Sequence, residues 1–147
     1  MNRNLVAVAA TVVIALTTTA AMAQDSIKER QTLFKEWGKD TKPLGEMLKG
    51  NEKFDLAAVQ TALDAYAKNV KVLPELFPAG TETGGDTEAL PAIWKDKTKF
   101  TDLFSKLGTD AAAARAAITD EASFKSNFPS VLRNCKGCHD DFRQKKS

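Results

Sequence analysis

Apolar residues recur along most of the chain at helical spacing, and no run alternates with the period of two that a strand requires. Leu56, Val59, Leu63, Tyr66, Val70, Leu73 and Phe77 step by threes and fours, which lays one apolar stripe along a helix from about Asp55 to Leu73. Pro74 and Pro78 then end it, because proline lacks the amide hydrogen a continuing helix needs. A first helix is expected from about Ser26 to Lys49. The stretch from Phe77 to Pro91, rich in Gly, Thr and Pro, predicts the longest irregular connection. Pro91 suits the first turn of a third helix, whose stripe is Phe100, Phe104, Leu107, Ala111, Ala114 and Ile118. A fourth helix begins near Asp120, whose carboxylate can cap the open amides, and carries Phe124, Phe128, Val131, Cys135, Cys138 and Phe142 on one face. Pro129 is expected to kink that helix or force a short break. Four amphipathic helices with mostly short links bury their stripes most simply as an all-α, up-down-up-down antiparallel four-helix bundle.

The first 23 residues follow a different logic. Arg3 supplies a positive start, Leu5 to Leu16 is apolar, and Ala21-Met22-Ala23 ends the stretch in a small-x-small pattern. That order is the one of a secretory signal peptide, with cleavage expected before Gln24. A membrane anchor is the rival, but twelve helical residues rise only about 18 Å against the roughly 30 Å of a bilayer core. The expected mature chain, 24–147, is of single-domain size. Cleavage removes Arg3 and so lowers the formal charge of +2 by one. Acidic and basic residues are interspersed, without the basic stripe that nucleic acid binding calls for. No carboxylate pair and no nucleophile–base constellation stands out, so an enzyme is not expected.

Both cysteines and the one histidine of the chain lie in a single pentapeptide, Cys135-Lys136-Gly137-Cys138-His139. This is the attachment pattern of a c-type haem. Two thiols add to the two vinyl groups on one porphyrin edge, so they must stand about one helical turn apart. The adjacent imidazole is then the iron ligand. A redox dithiol would normally open a helix after a strand, and no strand is expected here. A structural zinc site needs four ligands, and the motif supplies three. Export favours haem as well, since bacterial attachment takes place outside the cytoplasm.

A low-spin electron carrier would need a second axial ligand, usually Met or His. His139 has no second histidine to join it, and Met47 is the one methionine beyond the leader. In an up-down-up-down bundle the first and last helices are antiparallel neighbours, so the residue level with His139 lies near the start of the first helix. Phe34 fits that level, whereas Met47 is thirteen residues further on, about 20 Å along the axis. A lysine remains possible, with none singled out. The iron is therefore expected to be five-coordinate, with an apolar distal face open to small gases. The plain alternative is that Phe34 is core, and both can hold.

Over nearly all of residues 24–147 the chain resembles cytochrome c′. The resemblance rests on five stretches in order: Arg30-Gln-Thr-Leu-Phe34, Lys42-Pro-Leu-Gly-Glu-Met-Leu-Lys-Gly50, Leu76-Phe-Pro-Ala-Gly80, Leu90-Pro-Ala-Ile-Trp94 and Cys135-Lys-Gly-Cys-His-Asp-Asp-Phe-Arg143. It implies a periplasmic, usually homodimeric protein with one covalent haem c bound to Cys135 and Cys138, five-coordinate through His139, that binds NO and CO but discriminates against O₂. It further implies that Arg30 lies near a haem propionate, that Phe34 covers the distal face, and that Arg143 lies beside the imidazole. Gln31 and Asp86 match positions at the haem edge. A low-spin branch of the same fold places a methionine where this chain has Phe34, which favours the high-spin branch. Pro129 departs from the Gly common in relatives.

Two functions of different classes follow: a gas-binding protein concerned with NO, and a low-spin or one-electron carrier serving a periplasmic redox partner. For self-association, Leu44, Leu48 and Val72 stand beside the main stripes and are candidates for a face that meets a second copy. Neither nucleic acid nor membrane insertion is expected, Trp94 reads as core or interface, and the tail from Gln144 to Ser147 as a frayed end.

Overall fold

The computed structural model describes the backbone of residues 5–145 and the side chains of residues 22–145. Met1 to Asn4, the leader side chains up to Ala21, and the final Lys146 and Ser147 lie outside the described residues, and so do the expectations that rest on them. Among the described residues there are five α-helices: α1 (Leu5–Lys49), α2 (Leu56–Asn69), α3 (Ala92–Lys95), α4 (Lys97–Ala117) and α5 (Glu121–Phe142). A 3₁₀ turn spans Leu73–Leu76. Among the described residues the only β-type pairing is an isolated antiparallel bridge between Ala89 and Arg143. No helix among the described residues is long and apolar enough to cross a membrane.

The long helices α1, α2, α4 and α5 form the four-helix bundle that the apolar stripes call for. Three of them, α2, α4 and α5, are started by an aspartate cap. Asp55 caps α2 by accepting the Ala58 amide at 3.1 Å, and Asp120 with Ser123 forms a reciprocal capping box on α5. The stripes then meet. Val59, Leu63, Phe124, Phe128, Val131 and Ala111 have essentially no exposed surface, and burying each large side chain contributes about 1.5–3 kcal/mol. Gly108 lets α4 approach α2 closely, since a Cβ there would stand 2.9 Å from Val70 Cγ2.

Several expectations are corrected. The third helix is two helices, because Asp96 adopts φ −129° and ψ 64° and its carboxylate caps the Lys99 amide at 3.0 Å. A carboxylate that bonds a nearby backbone amide competes with helix continuation. The second helix stops at Asn69, and the apolar residues Leu73 and Phe77 belong to the 3₁₀ turn and its exit. Pro129 does not break α5, which is continuous from Glu121 to Phe142, and α1 likewise runs through Pro43. Leu44 is 1% exposed and sits in the bundle's own core, so it is not available to a second copy. Gln144 is tied down, its amide donating to the Glu88 carbonyl at 2.7 Å.

The bundle is uneven around its circumference. α2 lies against α1 and α4, and α4 against α5, whereas α1 and α5 do not draw their backbones together to a comparable degree. The face between the first and last helices is therefore the one where something broader than interlocking side chains can be held.

Candidate haem site

α5 places the CxxCH motif in its last two turns, close to its end at Phe142. Cys135 and Cys138 are three residues apart, about 4.5 Å along the axis, and both are half-buried with unpaired thiols. Cys138 packs against the core. Burial raises both thiols, and Cys138 is pushed up to about 11, by burial first and then by Cys135 and Asp141. A redox dithiol works the other way, with its thiolate stabilised by positive charge or a helix N-terminus. This pair sits instead in an apolar, protonated setting.

His139 lies on the outer side of the same turn, exposed at the protein surface. A surface cleft of about 280 Å³ is lined by His139, Asp140, Arg143, Gln144 and Lys145. The imidazole pKa lies below its ordinary value, through partial desolvation first and the Arg143 charge second. Both effects favour the neutral ring, the form that ligates a metal. Arg143 is held in turn by Glu88, whose Oε2 accepts from its Nε at 2.6 Å. The end of α5 is fixed by the backbone as well, with the Leu90 amide donating to the Phe142 carbonyl at 3.0 Å.

Across the bundle, α1 presents Arg30, Gln31, Phe34 and Trp37. Arg30 is 2% exposed. Its guanidinium donates to the Leu76 carbonyl, to Oγ1 and the carbonyl of Thr81, and to Oγ1 of Thr87, at 2.7–3.0 Å. Burial lowers its pKa from the ordinary value. In this structure both terminal nitrogens thus serve the 76–87 connection, a role the sequence did not suggest. Gln31 joins in, donating to the Gly85 carbonyl at 2.6 Å. Asp86 is exposed at the tip of that loop in the left-handed region, with φ 53°, following Gly84 and Gly85 at φ 95° and 55°. At Gly85 a side chain would also collide with Ile27, 2.8 Å from its Cγ2. Arg30, Gln31 and Asp86 are therefore brought to one edge, and Arg143 and His139 to the end of α5.

Phe34 is half-buried and packs edge-on against Trp37 (5.8 Å between centroids) and Phe77 (6.5 Å). Trp37 meets Tyr66 at 5.4 Å, and the Tyr66 phenol lies within electrostatic reach of the Cys135 thiol. Trp37 also meets Phe104 at 6.4 Å, so its ring partners lie on α1, α2 and α4, although Trp37 and Tyr66 read in the sequence as unassigned and ordinary stripe residues. Among the described residues, Trp37 Nε1 is the one buried side-chain nitrogen or oxygen without a hydrogen-bond partner. Met47, by contrast, is 6% exposed and buried in the core.

The donor set fits a covalent haem. Two unpaired thiols stand one turn apart on a single helix and an imidazole follows directly. The first and last helices are not closed onto each other, and an indole N–H nearby has no acceptor. A haem held there would be bonded through Cys135 and Cys138.

Comparison with known proteins agrees. A family model described as Cytochrome C' matches residues 25–143. A cytochrome c′ from Rhodopseudomonas palustris is 58% identical over 128 residues, covering 86% of this chain and 88% of the relative. A cytochrome c-556 from Agrobacterium fabrum is 36% identical over 128 residues, covering 86% of each. Among solved structures, cytochrome c′ from R. palustris superposes with a TM-score of 0.81 at 58% identity, covering 84% of this chain and 98% of that one. Cytochrome c′ from Shewanella frigidimarina gives 0.75 at 36% identity, covering 84% and 97%. The bundle, the paired thiols on its last helix and these likenesses together place the chain in the cytochrome c′ family, a family of c-type cytochromes with one covalently bound haem c.

Proposed function

We propose that this cytochrome is a periplasmic gas-binding protein in which His139 would be the one protein ligand of a haem iron able to take up NO or CO. The observation that carries this reading is the position of Met47. It is the one thioether left after the expected leader, and it is buried in the core about 20 Å along α1 from Phe34. When bound, the haem supplies an iron able to take up small gases and to exchange one electron.

Each residue then has a defined task. Cys135 and Cys138 hold the porphyrin edge through thioethers. His139 would offer its imidazole, whose pKa is lowered by partial burial first and by the Arg143 charge second. Phe34, packed on Trp37 and Phe77, would shield the haem from water and would offer no hydrogen bond to a polar ligand. Arg30 and Gln31 fix the 81–87 connection at the haem edge, with Asp86 at its tip. The expected leader supports export. Self-association as a homodimer rests on the resemblance, on Val72, which is 41% exposed, and on Leu48, which is half-buried.

A second reading is electron transfer. It is favoured by relatives named cytochrome c-556, such as the one from Agrobacterium fabrum at 36% identity. The ferric optical and EPR spectra of the purified holoprotein separate the two. High-spin or mixed-spin signals near neutral pH, with colour retained after acid–acetone extraction, support the gas-binding reading. A low-spin spectrum with a methionine–iron charge-transfer band supports the carrier. A colourless polypeptide with two free thiols overturns the attachment itself.

A further inference from the structure

Arg143 is the first residue past α5, and its backbone is extended, with φ −118° and ψ 134°. The helix therefore does not by itself hold this side chain against the turn that carries His139. Yet Arg143 and His139 line the same surface cleft. What places the guanidinium is the connection between the 3₁₀ turn and α3. Residues 88–90 run antiparallel to the chain leaving α5. Ala89 bridges to Arg143, the Gln144 amide donates to the Glu88 carbonyl at 2.7 Å, and the Leu90 amide donates to the Phe142 carbonyl at 3.0 Å. The Glu88 carboxylate then takes Nε and Nη2 of Arg143 on its one oxygen Oε2, at 2.6 and 2.5 Å. The same segment is anchored to α1. Arg30 Nη2 donates to Thr87 Oγ1 at 2.9 Å, and that oxygen also accepts the Ala89 amide at 3.3 Å. Glu88 is thus carried on a stretch of backbone fixed from two sides.

The two side chains of this ion pair are 41% and 38% exposed. An ion pair that exposed adds little stability. What it does fix is the place of a cation beside the histidine of the haem motif. Groups behind a metal-ligating imidazole set its orientation and its strength as a donor. We propose that Glu88 is a positioning residue of the haem site: by clamping the Arg143 guanidinium in the His139 cleft, it sets how strongly the imidazole donates to iron. A cation held there draws electron density from the ring and weakens it as a donor. Releasing the cation to solvent makes the ring a stronger donor. The Glu88 charge acting directly on the ring would do the reverse, since its loss would weaken the donor. The two accounts therefore differ in sign. The inference rests on the reading of His139 as the iron ligand.

Resonance Raman of the ferrous holoprotein, without added gas, reads the iron–imidazole stretching band. Glu88→Gln keeps the length of the side chain and an accepting oxygen but removes the charge. It is expected to move the band to higher frequency, in the same direction as Arg143→Gln. In the Arg143→Gln background it should have no further effect, because a residue that acts through another has nothing left to act on. A shift to lower frequency, an unchanged band, or a Glu88→Gln effect that persists without Arg143 would each overturn the proposal. Arg143→Lys decides where Glu88→Gln folds poorly. Lysine keeps the charge but lacks the planar fork that the carboxylate grips, so the band should again rise, and an unchanged band would overturn the clamp. A colourless protein, or a ferrous spectrum without an iron–imidazole band, fails the His139 reading and this inference with it. A band that is present but indifferent to Glu88 fails this inference alone.

Discussion

The Arg30 guanidinium carbon stands 4.3 Å from the centre of the Phe77 ring, face-on and out of contact with solvent. The cation is held in place by the loop it organises, and the ring compensates part of the cost of burying it. Lys97 approaches the same ring at 5.7 Å and donates to the Pro74 and Phe77 carbonyls. The connection between α2 and α3 is therefore built around two cations rather than an apolar plug.

Arg30→Met follows from that arrangement. The thioether chain replaces the stem but leaves the Leu76 and Thr81 carbonyls and both threonine hydroxyls without their donor. Hydrogen bonds to charged groups are worth about 1.5–3 kcal/mol each. A loss of at least ~3 kcal/mol is expected in urea unfolding, together with faster proteolysis of the 78–87 connection.

Phe34→Ala tests the gate. Removing the ring should accelerate CO association measured by flash photolysis while the helical signal persists. A fully buried Phe costs about 3–5 kcal/mol on truncation, and half-buried Phe34 should cost less. Equal association rates would show that Phe34 is core alone.

Met47→Leu should leave the haem spectrum unchanged, because the thioether is buried among apolar side chains away from the motif. Loss of a charge-transfer band in the variant would place Met47 on the iron and overturn the five-coordinate reading.

Tyr66 gives a pH signature. Its pKa is pushed up from 10.0 to about 12, by burial first, with Thr41 opposing and Cys135 adding. The unfolded phenol ionises near its ordinary value while the folded one keeps its proton. The contribution to stability is thus complete below pH 10 and lost as pH rises toward 12. The loss amounts to roughly 2–3 kcal/mol. Chemical denaturation across that range should show a steeper alkaline decline in wild type than in Tyr66→Phe.

Self-association is checked by sedimentation at micromolar concentration. A dimer that Val72→Glu dissociates would locate the contact on the exposed flank of α2's end. A monomer throughout would remove the dimer and leave the haem site untouched.

The sequence by itself determined what is local. Helical stripes repeat every 3.6 residues, so Val59, Leu63, Phe124 and Phe128 could be assigned to the core, and each is there with no exposed surface. The Asp120 cap acts over three residues, and the haem motif is one pentapeptide, so both were legible without knowing the fold. Only the tertiary structure decided what depends on distant partners. Arg30 finds Thr81 across 51 residues and Thr87 across 57. Leu44 looked available to a second copy until the bundle closed over it, and Asp96 ended a helix that its neighbours' periodicity would have continued. Trp37 reads as one more aromatic on α1. That its N–H is left without an acceptor could emerge only once Phe34, Tyr66 and Phe104 had packed around it. Hydrogen-bond satisfaction is a property of the packed whole, and no spacing along the chain encodes it.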